Sequence, residues 1–180
     1  MNVLAISGSL RAESSNTALL RAAIALAPAG MTITLYDGLD SLPHYSPERD
    51  TDPPPAPVAA LRAALAAADA VIVCTPEYAH GMPGSLKNLF DWCVSSADFD
   101  GGKPAAAISA GPSHRGGDRA NAALAQTLAV LGAHIPDGAT LVVPMVRAKL
   151  GADGGVSDAE TAGALREVLA TLGQAVTARG

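Results

Sequence analysis

The sequence predicts a doubly wound α/β domain, with helices on both faces of a five-stranded parallel sheet. Five short apolar runs are nearly continuous in Val, Ile, Leu and Ala, as expected of parallel strands buried on both faces. The segments between these runs carry apolar residues at helical spacing. Because strands and helices alternate along all 180 residues without a dividing linker, we expect a single domain spanning residues 1–180.

One helical segment follows each predicted strand. The apolar runs that we assign as strands are residues 2–7, 32–36, 70–75, 104–110 and 139–144. Helical spacing is seen in the pairs Leu20 and Ala23, Leu61 and Leu65, and Leu124 and Leu128, in residues 84 to about 94, and in the stripe of Leu165, Leu169 and Leu172.

Two segments are expected to be irregular. Prolines in residues 40–57, including Pro53, Pro54 and Pro55, forbid a continuous helix there, so we predict a surface loop. Three glycines in residues 149–157 predict a turn into the last helix.

The charge and hydropathy of the chain argue against two classes of partner. The formal net charge is −5, and no run of Lys or Arg forms a patch that could neutralise a nucleic-acid backbone. No apolar run approaches the ~20 residues that cross a bilayer, and the first residues lack the features of a signal peptide. We therefore expect a soluble, cytoplasmic protein that binds neither nucleic acid nor membrane.

The two cysteines predict neither a disulfide nor a metal site. Cys74 ends an apolar run and Cys93 lies in a helical stretch, so both are expected to be small buried hydrophobic residues. No Cys or His cluster has metal-ligand spacing, and no catalytic triad or carboxylate dyad is evident.

The expected ligand site lies in the loops at the carboxyl ends of the strands. In doubly wound sheets, ligands bind outside these ends, at the point where the winding reverses. The loops to consider follow the first, third and fourth predicted strands and begin near Ser7, Thr75 and Ala110.

The first loop is rich in hydroxyl groups and leads directly into a helix. Free backbone N–H groups and the helix dipole make such a loop an anion site. It matches neither the Walker pattern nor the dinucleotide fingerprint, so a monophosphate such as that of FMN suits it better. Alternatively, Asn16 or Ser15 only caps the helix. The candidate phosphate-binding residues are Ser9, Arg11, Ser14, Ser15, Asn16 and Thr17.

Motifs in the loops after the first and third predicted strands resemble those of a known family, the NADPH-dependent FMN reductases. This family includes chromate and quinone reductases. The resemblance covers roughly the first two-thirds of the chain. It implies a flavodoxin-like fold with strand order 2-1-3-4-5, FMN as cofactor and NADPH (or NADH) as co-substrate. The motifs are Gly8-Ser9-Leu10-Arg11 with Ser14 and Asn16, Pro76-Glu77-Tyr78, and Pro83-Gly84 with Leu86-Lys87-Asn88 and Asp91-Trp92.

The loop after the third predicted strand suits a flat, amphipathic ring. Its prolines stiffen the backbone, Gly81 allows a close approach and Tyr78 offers an aromatic surface. The resemblance implies that the backbone of residues 77–80 hydrogen-bonds the pyrimidine edge of the flavin, although many members have Asn in place of Ala79. The alternative for Glu77 is a solvated carboxylate. The candidate ring-binding residues here are Pro76, Glu77, Tyr78, Ala79, His80 and Gly81.

The region at the end of the fourth predicted strand contributes two further candidates, Ser109 and Gly111. The resemblance implies that both lie near the flavin. His114 and Arg115 could attract the extra phosphate of NADPH, although exposed loop charges are more often only solvated.

The predicted function is an FMN-dependent oxidoreductase that passes hydride from NADPH to a quinone, flavin, azo compound or oxidised metal ion. The alternatives are a flavodoxin-type electron carrier and a binding module that senses flavin or redox state. The helix beginning at Gly84 carries apolar residues on more than one face, which predicts a partner subunit. Since the family forms dimers that pair into tetramers, we expect a homodimer or homotetramer.

Overall fold

A computed structural model describes residues 1–151 and 154–179. Its five strands form one sheet of order β2-β1-β3-β4-β5, and every neighbouring pair is parallel. This confirms the predicted fold class, and each strand end lies within one residue of its predicted position. The strands are β1 (Asn2–Ser7), β2 (Thr32–Tyr36), β3 (Ala70–Thr75), β4 (Ala105–Ala110) and β5 (Thr140–Val143).

Helices cover both faces of the sheet and create two apolar cores. One core lies between the sheet and helices α1 and α5, and the other between the sheet and α2, α3 and α4. The central strands β3 and β4 are buried throughout, which explains their nearly continuous apolar sequences. The helices are α1 (Ser15–Ala25), α2 (Ala56–Ala67), α3 (Gly84–Asp91), α4 (Asp118–Val130) and α5 (Ala159–Arg179), and short 3-10 turns span Leu39–Ser41, Pro47–Arg49 and Val146–Ala148.

The proline-containing segment 40–57 was predicted to be a surface loop. Part of it instead packs against the end of α3. Leu42 is buried in the core beneath α2 and α3. The Pro43 carbonyl accepts a hydrogen bond from Trp92 Nε1 at 2.8 Å, and the Tyr45 ring meets the Trp92 ring edge-on at a centroid distance of 5.1 Å. These contacts hold the segment against the helix.

The apolar side chains of α3 and of the turn after it are buried within the chain. Leu86, Leu89, Phe90, Trp92 and Cys93 are each no more than 2% exposed. The prediction that they reach toward a partner subunit is therefore wrong in its reasoning, because these side chains have no area left for a partner.

Both cysteines are buried thiols, as predicted. Burial raises the pKa of Cys93 to about 12 and raises that of Cys74 further. Neither thiol is therefore activated as a nucleophile.

The predicted turn at residues 149–157 is described in part. Leu150 and Val156 pair in an isolated antiparallel bridge, and Asp158 then accepts a hydrogen bond from the Thr161 N–H at 2.9 Å at the start of α5. Ala152 and Asp153 of this segment, and Gly180 of the predicted domain, lie outside the described residues. No helix within the described ranges has the length and apolar character needed to cross a membrane.

Candidate functional site

A cleft of about 380 Å³ opens at the carboxyl edge of the sheet. We refer to it as the carboxyl-edge cleft. The strand register brings the ends of β1, β3 and β4 level, with Ser7 beside Cys74 and Thr75 beside Ser109. The cleft is lined by Ser9, Arg11, Ser14, Ser15, Asn16, Pro76, Glu77, Tyr78, Ala110, Gly111, Pro112, Ser113, Gly117, Val146 and Arg147.

Nine of the fourteen predicted site residues line this cleft, and five do not. The nine are Ser9, Arg11, Ser14, Ser15, Asn16, Pro76, Glu77, Tyr78 and Gly111. Thr17, Ala79, His80, Gly81 and Ser109 lie in the same loops or beside them but outside the lining.

A larger cavity of about 770 Å³ lies at the opposite edge of the sheet, near Asp69, Lys103 and Arg179. Ligands of doubly wound sheets bind at the carboxyl ends of the strands. The cavity at the amino edge is therefore not the candidate site, despite its size.

The loop after β1 is fixed by hydrogen bonds at the start of α1. Ser14 is the helix N-cap, and its hydroxyl oxygen accepts from the N–H groups of Asn16 at 3.2 Å and Thr17 at 3.4 Å. The alternative that Asn16 or Ser15 caps the helix is therefore wrong. The structure instead turns the Asn16 amide inward, where it donates to the Ala110 carbonyl at 3.4 Å and ties α1 to the end of β4.

Arg11 is left available by this arrangement. Its backbone N–H donates to the Ser9 hydroxyl at 3.3 Å, while its guanidinium makes no hydrogen bond or ion pair with any described residue. Thr17 is occupied, because its hydroxyl lies 2.8 Å from the Ser7 hydroxyl. The free groups near the α1 N-terminus are thus a guanidinium and hydroxyls, which suit an anion.

The loop after β3 contains a tight turn with an uncommon backbone. Tyr78 and Gly81 exchange backbone hydrogen bonds of 2.9 and 3.0 Å. The two central residues, Ala79 and His80, have φ values of 49° and 65°, as a two-residue type I′ turn requires. Left-handed backbone costs an L-residue about 1–2 kcal/mol, so the turn is strained at both positions. Asn, which many family members have at position 79, tolerates this conformation better than Ala.

The space around Gly81 is open within the chain. A Cβ atom there would meet only the Tyr78 carbonyl, at 4.0 Å. The Tyr78 side chain is 52% exposed at the cleft, so its ring presents a free aromatic surface.

Glu77 is not the solvated carboxylate of the alternative interpretation, since its side chain is only 20% exposed. Its Oε2 atom accepts from the backbone N–H groups of Arg119 and Ala120, both at 3.1 Å, at the start of α4. Partial burial raises the pKa of Glu77, but the hydrogen bonds from Ala120, His80 and Arg119 outweigh it, so the pKa lies below its usual value. The ionised carboxylate thus joins the β3 loop to α4.

The end of β4 places Ser109, a residue of the strand itself, behind the cleft wall. Ser109 is fully buried, and its hydroxyl has no hydrogen-bond partner among the residues that the structure describes. Gly117, which lines the cleft with φ at 84°, lies directly over it, and a Cβ atom at Gly117 would come within 3.4 Å of both Ser109 and Glu77. Only glycine fits this conformation and spacing comfortably.

Arg115 is engaged rather than free. Its Nη2 and Nε atoms contact the Asp118 carboxylate at 2.9 and 3.2 Å, and neither Arg115 nor His114 lines the cleft. The structure therefore gives no support to a phosphate-binding role for this pair.

The loop after β5 reaches the cleft, which sequence reasoning missed. Val146 is buried and Arg147 is exposed, and both line the cleft beside the β4 loop. The available signal was an arginine four residues beyond the last strand, at the carboxyl edge of the sheet.

The parallel order with a ligand-sized cleft at its switch point defines a flavodoxin-like protein. A family model described as NADPH-dependent FMN reductase matches residues 1–148. The chain belongs to the NADPH-dependent FMN reductase family. This confirms the prediction of an enzyme, an FMN-dependent NAD(P)H oxidoreductase, that was drawn from the loop motifs.

Individual relatives agree with this assignment. An NAD(P)H-dependent FMN reductase of Pseudomonas aeruginosa is 42% identical over 135 residues, which cover 74% of this chain and 72% of that protein. A quinone reductase of Pseudomonas putida is 36% identical over 134 residues, which cover 72% of this chain and 70% of that protein. Among solved structures, the flavoenzyme NAD(P)H:(acceptor) oxidoreductase of Paracoccus denitrificans superposes with a TM-score of 0.88 at 30% identity, covering 99% of this chain and 98% of that one.

The donors in the cleft fit FMN. Arg11 and the Ser9 hydroxyl lie beside the α1 N-terminus, where a phosphate monoester finds both charge and hydrogen-bond donors. Pro76, Tyr78 and Gly117 provide a flat, mostly apolar surface with little side-chain bulk, as a planar ring requires.

Proposed function

We propose that the protein catalyses the two-electron reduction of a quinone by NADPH, with FMN bound in the carboxyl-edge cleft. FMN held there would supply the hydride chemistry that links NADPH to the acceptor. The overall reaction consumes NADPH, a proton and a quinone and yields NADP⁺ and the hydroquinone. The observation that carries the proposal is the cleft itself, in which an unpaired Arg11 lies at the start of α1 and the strained Tyr78–Gly81 turn lies at the other side.

The β1 loop is proposed to bind the phosphate of FMN. Arg11 provides the charge, while Ser9 and Ser15 provide hydroxyl donors at the N-terminus of α1. Ser14 and Asn16 are proposed to act through the backbone, because their side chains already hold the loop in place.

The β3 loop is proposed to border the isoalloxazine ring. Backbone groups of Glu77, Ala79 and His80 are candidates for the pyrimidine edge, and Gly81 closes the turn that presents them. Pro76 stiffens the start of the loop, and Gly111 lies across the cleft from the β4 side. Ser109 is proposed to contribute only from behind, through its packing against Gly117.

NADPH and the acceptor are proposed to bind in turn in the carboxyl-edge cleft. Quinone is our first choice of acceptor because relatives of this length are named quinone reductases. Free flavin, azo compounds and oxidised metal ions are alternative acceptors for the same hydride chemistry. NADPH is proposed as the reductant, with NADH as the alternative.

We further propose a single domain over residues 1–180, located in the cytoplasm where NADPH is available. A homodimer or homotetramer is also proposed. The supporting surface is not the buried side of α3 but Val94 and Val130, which are 66% and 81% exposed beside an apolar groove of α3 and α4.

The proposal is tested by titrating the purified protein with FMN and then adding NADPH without oxygen. We expect tight FMN binding, bleaching of the flavin absorbance by NADPH, and its return on addition of benzoquinone. Arg11→Gln should weaken FMN binding about tenfold, while Arg21→Gln, on the exposed side of α1, should leave it unchanged. A wild-type protein that binds no FMN, or binds it without NADPH oxidation, would refute the proposal.

A further inference from the structure

We propose that Arg147, from the loop after β5, is a second phosphate-binding residue that makes the carboxyl-edge cleft selective for a phosphate monoester. The inference rests on the proposed function and extends it, because it assigns a specificity-determining residue outside the three loops that the fold rule selects. The ligand group is a dianionic phosphate monoester, as opposed to a neutral flavin or a phosphate diester.

The position of Arg147 is fixed by the backbone around it. The N–H of Met145 donates to the Ser113 carbonyl at 3.0 Å, and the N–H of Val146 donates to the Gly111 carbonyl at 3.1 Å. Val146 is 1% exposed and packs into the core shared with α1 and α5. Anchored in this way, the 3-10 turn that carries Arg147 cannot move away from the cleft without breaking these contacts.

Met145 adds a second indication that this turn is constrained. Its φ is 51°, a left-handed conformation that costs a residue of this kind about 1–2 kcal/mol. Such strain persists only where the surrounding contacts enforce it, and it concentrates at functional positions. Met145 directly precedes the 3-10 turn that carries Arg147, and Arg147 lines the cleft.

The guanidinium of Arg147 has no partner within residues 1–151 and 154–179. Arg115 and Arg62, by contrast, are paired with carboxylates, those of Asp118 and Asp50. Arg147 instead shares a cleft with Arg11, which is also unpaired. Two unpaired cations in one cleft of a protein with net charge −5 indicate an anionic ligand.

The carboxylate in the cleft lining does not neutralise them. Glu77 directs both oxygens elsewhere, one to the α4 N-terminus and the other to His80 at 3.3 Å. Two guanidiniums and a helix N-terminus match the charge of a phosphate dianion better than that of a diester, which carries one negative charge.

Two ligands carry such a monoester, namely FMN through its 5′-phosphate and NADPH through its 2′-phosphate. Val146 packs on the face of the sheet that α1 covers, and the N-terminus of α1 is the proposed phosphate site. This placement favours the FMN phosphate, and the experiment separates the two sources.

The test compares Arg147→Gln with wild type in titrations of FMN and riboflavin followed by flavin fluorescence. Arg166→Gln, which replaces an exposed arginine of α5 that does not line the cleft, serves as the control for general charge. We expect about tenfold weaker FMN binding for Arg147→Gln, unchanged riboflavin binding, and an intermediate loss for Arg147→Lys. The FMN difference should also shrink at high salt, because a screened charge contributes less.

A second arm measures KM for NADPH and NADH with the FMN-loaded proteins. If Arg147→Gln leaves FMN affinity unchanged but raises the KM for NADPH alone, Arg147 binds a phosphate monoester as inferred. That monoester is then the 2′-phosphate of NADPH. Unchanged FMN affinity together with an unchanged NADPH-to-NADH ratio would overturn the inference while leaving the proposed function intact. Failure of the wild-type protein to bind FMN would instead overturn both.

Discussion

The carboxylate of Glu77 is expected to contribute measurably to stability, because it links the β3 loop to the start of α4. In Glu77→Gln the side chain keeps its length and one acceptor oxygen but loses its negative charge. The N–H groups of Arg119 and Ala120, each 3.1 Å from Oε2, would then face a neutral amide. The replacement thus isolates the effect of charge at the helix N-terminus.

The size of the effect follows from these contacts. A hydrogen bond to a charged group contributes about 1.5–3 kcal/mol, and a negative charge at a helix N-terminus contributes about 0.3–1 kcal/mol. Because Gln retains an acceptor, only part of the first contribution is lost. We expect Glu77→Gln to lower the free energy of unfolding by about 1–2 kcal/mol, which corresponds to a fall in Tm of roughly 2–8 °C for a chain of this length.

Urea unfolding followed by circular dichroism measures this difference at neutral pH. Glu167→Gln is the matched control, since Glu167 lies on the exposed side of α5 and should change stability by less than about 0.5 kcal/mol. If Glu77→Gln unfolds at the same urea concentration as the control, the carboxylate does not hold the loop to α4 and this reasoning is wrong.

Three further predictions concern backbone strain, protonation and thiol reactivity. Ala79→Asn should raise the free energy of unfolding by about 0.5 kcal/mol in the same urea assay, because Asn accepts positive φ more readily than Ala; a loss of stability would contradict the described turn. Since the pKa of Glu77 is lowered in the folded protein, its stabilisation is present above the unfolded-state pKa and is lost as pH falls through the folded value. The difference between wild type and Glu77→Gln should therefore shrink as pH falls below the ordinary carboxyl pKa of about 4.3 and vanish only below the lower folded value, in unfolding curves measured across pH. A difference that grows in this range would contradict the sign. Cys74 and Cys93 should react with Ellman's reagent only after unfolding, because both are buried with raised pKa values; rapid reaction of the native protein would contradict their burial.

The strands were predictable from sequence because the sheet is covered on both faces. A strand buried on both sides is expected to be nearly continuous in apolar residues, and β3 and β4 are buried at every position, with Thr75 and Ser109 as their only polar residues. The start of α1 was harder to place, because Ser14, Ser15 and Asn16 are all good N-cap residues. The choice depends on the extended backbone of Ser14, with φ −87° and ψ 125°, which composition does not reveal.

Two errors of sequence interpretation explain each other. The segment 40–57 was expected to be a surface loop, and α3 was expected to need a partner subunit for its second apolar face. In the structure, segment 40–57 covers the apolar face of α3 that was expected to need a partner. Leu42 enters the same core as Leu89, and the Pro43 carbonyl accepts a hydrogen bond from the Trp92 side-chain N–H. Periodicity shows that a helix has two apolar faces but not whether the covering surface comes from another chain.

Arg147 escaped sequence reasoning for a related physical reason. The switch-point rule directs attention to loops whose strands adjoin the reversal, and β5 lies at the edge of the sheet. Its loop reaches the cleft only because backbone hydrogen bonds join it to Gly111 and Ser113 of the neighbouring loop. Such contacts depend on tertiary geometry, so the position of the arginine after the last strand did not by itself reveal them.

The cleft separates the side chains that fix its loops from those left free for a ligand. Asn16, Glu77 and Val146 each hold one loop through a buried contact or a bond to another element. Arg11 and Arg147 lie in the loops after β1 and β5, and neither guanidinium has a partner among the described residues. Because the folded chain already places the backbones of both arginines, a ligand needs to order little more than their side chains on binding. The affinity of the cleft should accordingly depend on the charge of its ligand more than on the area that the ligand buries.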